Sequence, residues 1–164
     1  MTGQEAKELA ELYLGAEIPE ALVIINEALN IIGDMALNHD DVTIPAGSIG
    51  SWVSLPSDTT AVIKVVDSNE RPSSSWELRG LKLRLNEGEG DHSVVIRRLV
   101  TPLQNLSQDI DIHPAFYSSI VFYLRAFSKL ADDDTSTDGK EHLALFQSEV
   151  QKAHMTLMQI RKTL

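Results

Sequence analysis

The chain has 164 residues, 43% of them hydrophobic, and no cysteine; this is enough apolar material for one ordinary core, and it excludes disulfides, thiolate metal sites and cysteine nucleophiles. The formal net charge of −10 is uneven: residues 1–50 carry Lys7 as their one basic residue against nine acidic ones, residues 51–113 sum to −2, and residues 114–164 balance. A basic footprint for gripping nucleic acid or an anionic membrane is therefore missing, and no apolar run reaches the 18 residues of a membrane-spanning helix. Met1–Glu11 holds three glutamates and one lysine, which is not the basic-then-apolar pattern of a secretory signal. A cytosolic origin fits the lack of cysteine.

In chain order, Gln4–Leu14 is rich in Ala, Glu and Leu and predicts a short helix that Gly15 breaks. Pro19 suits the first turn of a second helix, expected to run to about Leu37. Its stripes Leu22, Ile25, Leu29, Ile32, Ala36 and Ile24, Ala28, Ile31, Met35 predict burial on more than one side and a central position. From Asp40 to Ile112 the pattern turns to strands: Thr60–Asp67, Trp76–Leu85 and Ser93–Val100, with shorter ones near Val42–Ile44 and Gly50–Leu55. Asp67–Ser75 reads as a polar loop, and Asn86–His92 as the long loop of a hairpin joining the second and third strands. His113-Pro114 opens a third helix with an apolar face of Phe116, Ile120, Leu124, Phe127 and Ala131. After the polar segment Asp132–Thr137, Asp138 with Glu141 has capping-box spacing. Leu143, Phe146, Val150, Ala153, Leu157, Ile160 and Leu164 then form a heptad-like seam. The expected fold class is α+β: a helical bundle built from N-terminal (1–39) and C-terminal (113–164) helices, with a small antiparallel β insertion (40–112) between them, in a single domain spanning 1–164.

Catalytic spacing is not found. None of His39, His92, His113, His142 and His154 forms an H-E-x-x-H pair or another tight zinc spacing. His39-Asp40-Asp41 is a cluster of candidate ligands, but it falls where a helix end is expected to be polar. Asp132–Gly139 fails as a calcium loop, with Thr137 at position 6 and Leu143 at position 12. Ala46–Gly50 departs from a nucleophile elbow at Ala46 and reads as a turn. The residues thus predict a non-catalytic docking subunit with no cofactor and no metal.

The order of several short motifs resembles the head–tail adaptor proteins of tailed bacteriophages, also known as connector, head-completion or tail-tubular A-type proteins. Ile18-Pro19-Glu20-Ala21-Leu22 through Asn26-Glu27-Ala28-Leu29 looks like their asparagine-containing N-terminal helix. Ser54-Leu55-Pro56-Ser57-Asp58 ahead of Thr60–Val66 is similar to their lead-in to a strand. Asp109-Ile110-Asp111-Ile112-His113-Pro114-Ala115-Phe116 is similar to their lead-in to the third helix; Tyr123-Leu124-Arg125-Ala126, Asp132–Asp134 and the long last helix also fit. The resemblance implies a homo-oligomeric ring in the virion neck, made in the host cytoplasm, that sits beneath the portal protein, continues the DNA channel and gives tail or neck proteins a platform. DNA would be passing cargo and no membrane would be bound. By this analogy Leu157, Ile160, Arg161 and Leu164 would dock on the portal. Glu70, Arg71, Glu87, Glu89 and Asp91 would make lateral or tail contacts, and Asp40 and Asp41 are candidates to face the lumen. The alternative is a non-catalytic binding or regulatory module of a cellular complex, using the same loops and helix end. A small hydrolase using His39, Asp40 and Asp41 is the third reading, and it predicts metal in the purified protein.

Overall fold

A computed structural model describes the backbone of residues 1–162 and the side chains of residues 1–159. The chain is α+β and divides into two compact units: Met1–Leu37 with Val100–Leu164, and Asn38–Leu99.

The first unit is helical and drawn from both parts of the chain that flank the strands. Helix α1 (Gly3–Leu14) opens on a capping box in which the Thr2 hydroxyl accepts from the Glu5 N–H and the Glu5 carboxylate accepts from the Thr2 N–H; two orphan donors are satisfied at once. Gly15, at φ +67°, closes it in the left-handed conformation that a residue without Cβ adopts at no steric cost. Its buried side is the small-residue set Gly3, Ala6 and Ala10, which lets its backbone approach the core closely. Helix α2 (Ala21–Ile32) buries Ala21, Ile24, Ile25, Ala28, Leu29 and Ile32. This is one broad face rather than two, because Val23 and Ile31 are exposed. The helix also stops short of the expected Leu37: Gly33 turns the backbone to φ +46°, and a 3₁₀ turn, Gly33–Ala36, follows.

Helix α3 (Tyr117–Asp132), not α2, is the central element. It packs on α1, on α2 and on α4 (Thr137–Lys162), and it buries Ser119, Ile120, Val121, Tyr123, Leu124 and Ala126. A 3₁₀ turn at Pro114–Phe116 precedes it, capped by the His113 ring nitrogen, which accepts from the Ala115 N–H. The cap of α4 lies two residues before the expected Asp138: the Ser136 hydroxyl accepts from the Gly139 N–H. Along α4 the expected seam packs inward through Phe146, Val150 and Ala153, with Leu143 and Leu157 half-buried beside them.

Residues 100–112, expected to belong to the β insertion, instead complete the helical unit. Leu103, Ile110 and Ile112 are in its core. The Asn26 side chain holds this segment by imitating a peptide group, its amide donating to the Leu103 carbonyl (2.9 Å) and its oxygen accepting from the Leu103 N–H (2.7 Å).

The second unit holds two three-stranded antiparallel sheets. Strands β1 (His39–Ile44), β6 (His92–Arg98) and β3 (Thr59–Val66) form one, in the order β1-β6-β3; β2 (Val53–Ser54), β5 (Lys82–Leu85) and β4 (Trp76–Arg79) form the other, in the order β2-β5-β4. Ile44, Val65, Val94 and Ile96 from the first sheet meet Leu83 and Leu85 from the second, together with Leu55, in one core. The alternation on β6, with His92, Val94 and Ile96 buried, is the period-two signature of a strand with one face inward. Trp76–Leu85 is therefore not one strand. Gly80, at φ +57°, makes a two-residue Gly-Leu loop that folds it into the β4–β5 hairpin. Nor does Asn86–His92 close a hairpin: it carries the chain from β5 in one sheet to β6 in the other. Leu81, expected to share the buried face of Leu83 and Leu85, sits at the hairpin tip and is exposed.

Candidate functional site

The register of the β unit decides which loops meet. Ile44 pairs with His92, Val66 with Ser93, and Trp76 with Leu85, so the loops that follow β1, β3 and β5 emerge at one end, away from the point where the chain enters and leaves the unit. Both loops expected to make contacts, Asp67–Ser75 and Asn86–His92, lie there, joined by the 3₁₀ turn Ala46–Ser48. They touch: the Asp91 carboxylate accepts from the Ala46 N–H (3.0 Å), and Gly90 comes against the Ser68 side chain. Glu70, Arg71, Glu87, Glu89 and Asp91 are all exposed on this surface.

The surface is polar but ordered. The Asp67 carboxylate accepts from the N–H groups of Asn69 (2.8 Å) and Arg71 (2.9 Å), and the Asp67 N–H returns to the Arg71 carbonyl. These bonds, that to Arg71 foremost, hold the Asp67 carboxyl below the usual carboxylate range. Glu70 takes a positive φ of 61° within this turn. The second loop folds over the buried His92: a Cβ at Gly88 would lie 2.4 Å from the imidazole, and the Gly90 carbonyl is 3.2 Å from His92 Nδ1. Both loops are thus held by their own hydrogen bonds and packing.

The acidic pair expected to face a lumen is placed differently from its sequence context. His39-Asp40-Asp41 is not at a helix end but on β1, an edge strand of its sheet. Asp40 belongs to an ion-pair set: Arg98 reaches Asp58 through Nε (2.7 Å) and Asp40 through Nη1 (3.1 Å). Asp41 is exposed. No group of three His, Asp or Glu suited to a metal ion occurs among the described residues.

Of the residues expected to dock on a portal, Leu157 is half-buried against the helical core, so part of its surface is already used. The side chains of Ile160 and Arg161 and all of Leu164 lie outside the described residues. The exposed apolar groups on the last described turns of α4 are Met155 and Met158.

Two surfaces were not singled out by sequence reading. On the outer face of the β2-β5-β4 sheet, the Arg79 and Arg84 guanidinium groups each lie 5.0 Å from the Trp52 ring centre, and Arg84 also pairs with Glu77 (3.0 Å), holding that carboxyl below its usual range. The signal was Trp52 two strands away from a K-x-R alternation, readable only once the pairing is known. In the helical unit, His142 is buried beside Tyr13, Phe122 and Asp138, and Arg125 stacks over Tyr13 at 4.1 Å. These groups knit α1, α3 and α4 together. No helix among the described residues is long and apolar enough to cross a membrane. No known family model matches the chain, and no curated protein is similar to it in sequence.

Proposed function

We propose that the chain is a head–tail adaptor of a tailed phage virion: copies form a ring beneath a portal, continue the DNA channel and present a platform to tail or neck proteins. The observation that supports this most is the division of labour along the chain. A helical unit is assembled from the two parts of the sequence that flank a β unit, and the two polar loops of that β unit are pre-ordered side by side at one of its ends. Such an end suits a protein that recognises partners by shape and charge. A ring needs one patch to meet a different patch on the next copy, and loops at one end of an asymmetric unit meet that need. The excess of negative charge in residues 1–50 would repel phosphate and let DNA pass without sticking. No catalytic step is assigned, and the mechanism is geometric.

The test is co-assembly. The purified chain is mixed with a portal ring and viewed by electron microscopy, and the expected image is a second ring stacked coaxially under the portal. A chain that stays monomeric in the presence of portal, and is found outside the neck in virions, overturns the reading.

A further inference from the structure

Helix α1 carries a shallow apolar groove on its outer side. Leu9 and Leu12, 49% and 83% exposed, form its floor, and the Glu5 and Glu8 carboxylates flank it. With Met1, the two leucines make a small contiguous apolar patch on one helix face. Its surroundings state the chemistry of the occupant. Lys7, the one basic residue of the first 50, is already paired with Glu11 at 3.2 Å, so the rim is negative. The fitting partner offers two apolar side chains set between cations.

The β4–β5 hairpin tip of the same chain has that composition within five residues. Leu78 and Leu81 are 45% and 42% exposed, and Arg79 and Lys82 are exposed on either side of the Gly80-Leu81 loop, on the opposite face of the ribbon from Leu78. The tip is also rigid. The Leu81 carbonyl accepts from the Leu55 N–H at 2.8 Å, Arg79 and Lys82 are paired across the strands, and Arg79 lies over the Trp52 ring. Rigid apolar anchors with a charged rim lose little entropy on binding and gain orientation from the charges.

We infer that the hairpin tip of one copy, through Leu78, Arg79, Leu81 and Lys82, docks on the α1 groove of a second copy, at Glu5, Glu8, Leu9 and Leu12. The contact joins two different patches, so after pairing one copy keeps a free tip and the other a free groove, and the assembly grows into a closed ring or an open filament. The inference rests on the ring reading for closure. The patch is small, so a single contact is weak, and a ring closes through many such contacts acting together. The charged rim makes the contact sensitive to salt.

The test uses the full chain in sedimentation over a range of concentration and salt, alone and with a portal ring. Leu12→Asp alters a side chain that is 83% exposed, so folding is retained, checked by circular dichroism. It is expected to weaken assembly at least about tenfold, the effect of losing a central anchor. Lys82→Glu and Glu8→Lys each are expected to weaken assembly, while an equal mixture of the two, or the double variant, regains it; a merely structural effect of either substitution would not be rescued. Assemblies that form equally well with Leu12→Asp and Lys82→Glu overturn this contact and leave the ring reading standing. A wild-type chain that is monomeric at every concentration, with and without portal, overturns both. Capture of a different basic protein by the groove while copies ignore one another also overturns the contact.

Discussion

The helical unit and the β unit are stabilised in opposite ways. The helical unit adds distant contacts to the local packing of α3 on α4: α1 and α2 pack on α3 and the Asn26 amide holds Leu103, joining residues about a hundred or seventy-seven positions apart. The β unit is one continuous segment, Asn38–Leu99, closed by seven buried side chains and by local turns. The helical unit has a broad core with Phe116, Ile120 and Leu124 at its centre. The β unit has a narrow one, and much of its order resides in loop hydrogen bonds. A contact surface on the β unit is therefore built on turns, and turns tolerate change at their tips while depending on a few backbone-holding residues.

The largest expected effect is in the helical core. Phe116→Ala removes a fully buried ring and costs about 3–5 kcal/mol, read as a fall in the denaturation midpoint. Leu83→Ala, the deepest leucine of the β core, costs about 2–5 kcal/mol by the same reasoning. If the two units melt separately, Leu83→Ala moves only one transition; if they melt together, either substitution moves the whole curve. The comparison between the units is sharpened by the first outcome and broken by the second.

A second prediction concerns alkaline pH and the helical unit alone. Burial, aided by the neighbouring Glu27 carboxylate that accepts its hydroxyl, pushes the Tyr123 phenol up to about 12. In the unfolded chain the group ionises near 10. The raised value means that its stabilising effect is complete below pH 10 and is lost as pH rises through 12, a change of about 2–3 kcal/mol. Ultraviolet titration should show one late phenolate, absent from Tyr123→Phe. A Tyr123 midpoint of about 10 would remove the claim.

Gly88→Ala acts on the β unit in a more confined way. At Gly88, φ is +147°, and a Cβ would meet the buried His92 ring. The loop must lift or the ring must turn, costing about 1–3 kcal/mol. The readout is the His92 imidazole chemical shift together with faster amide exchange over residues 86–91, with the helical unit unchanged.

These sites show what was legible in the sequence. Period was legible in α3 and α4, whose apolar spacing one buried face enforces, whereas α1 was legible from its Ala, Glu and Leu content and β3 from its β-branched run. Interruption was legible only in part. Gly33 and Gly80 each sit inside an apolar run, and both runs read as continuous because the apolar pattern resumes beyond the glycine. In the folded chain each takes a positive φ, so one helix ends early and one strand becomes a hairpin. Pairing was not legible. That β5 and β6 belong to different sheets depends on which inner faces fill one core, a property of six strands together. The same limit hid the Trp52 stack and the Arg98 set, because cross-strand neighbours are far apart in the chain, while the exposed loops Asp67–Ser75 and Asn86–His92 declared themselves by polarity alone.

The smallest effect is expected at Asp67, and it separates a loop shaped by its own bonds from one shaped by a partner. The carboxylate holds the turn by accepting from the Arg71 and Asn69 N–H groups, and its pKa is lowered by them. A lowered value means that the turn is held above the ordinary aspartate range and released as pH falls through the folded value. Carbon-13 titration should place the Asp67 midpoint below that of an unperturbed aspartate, and the Arg71 amide should exchange faster at the acid end. Asp67→Ala should reproduce the acid behaviour at neutral pH, with little change in global stability, because the side chain is not part of the buried core of the β unit. If the loop matters to assembly through its pre-ordered shape, this substitution weakens association although it removes none of the exposed charges of Glu70, Arg71, Glu87, Glu89 or Asp91. If only those charges matter, Asp67→Ala assembles as the wild type does, and Glu70 with Arg71 become the residues to change.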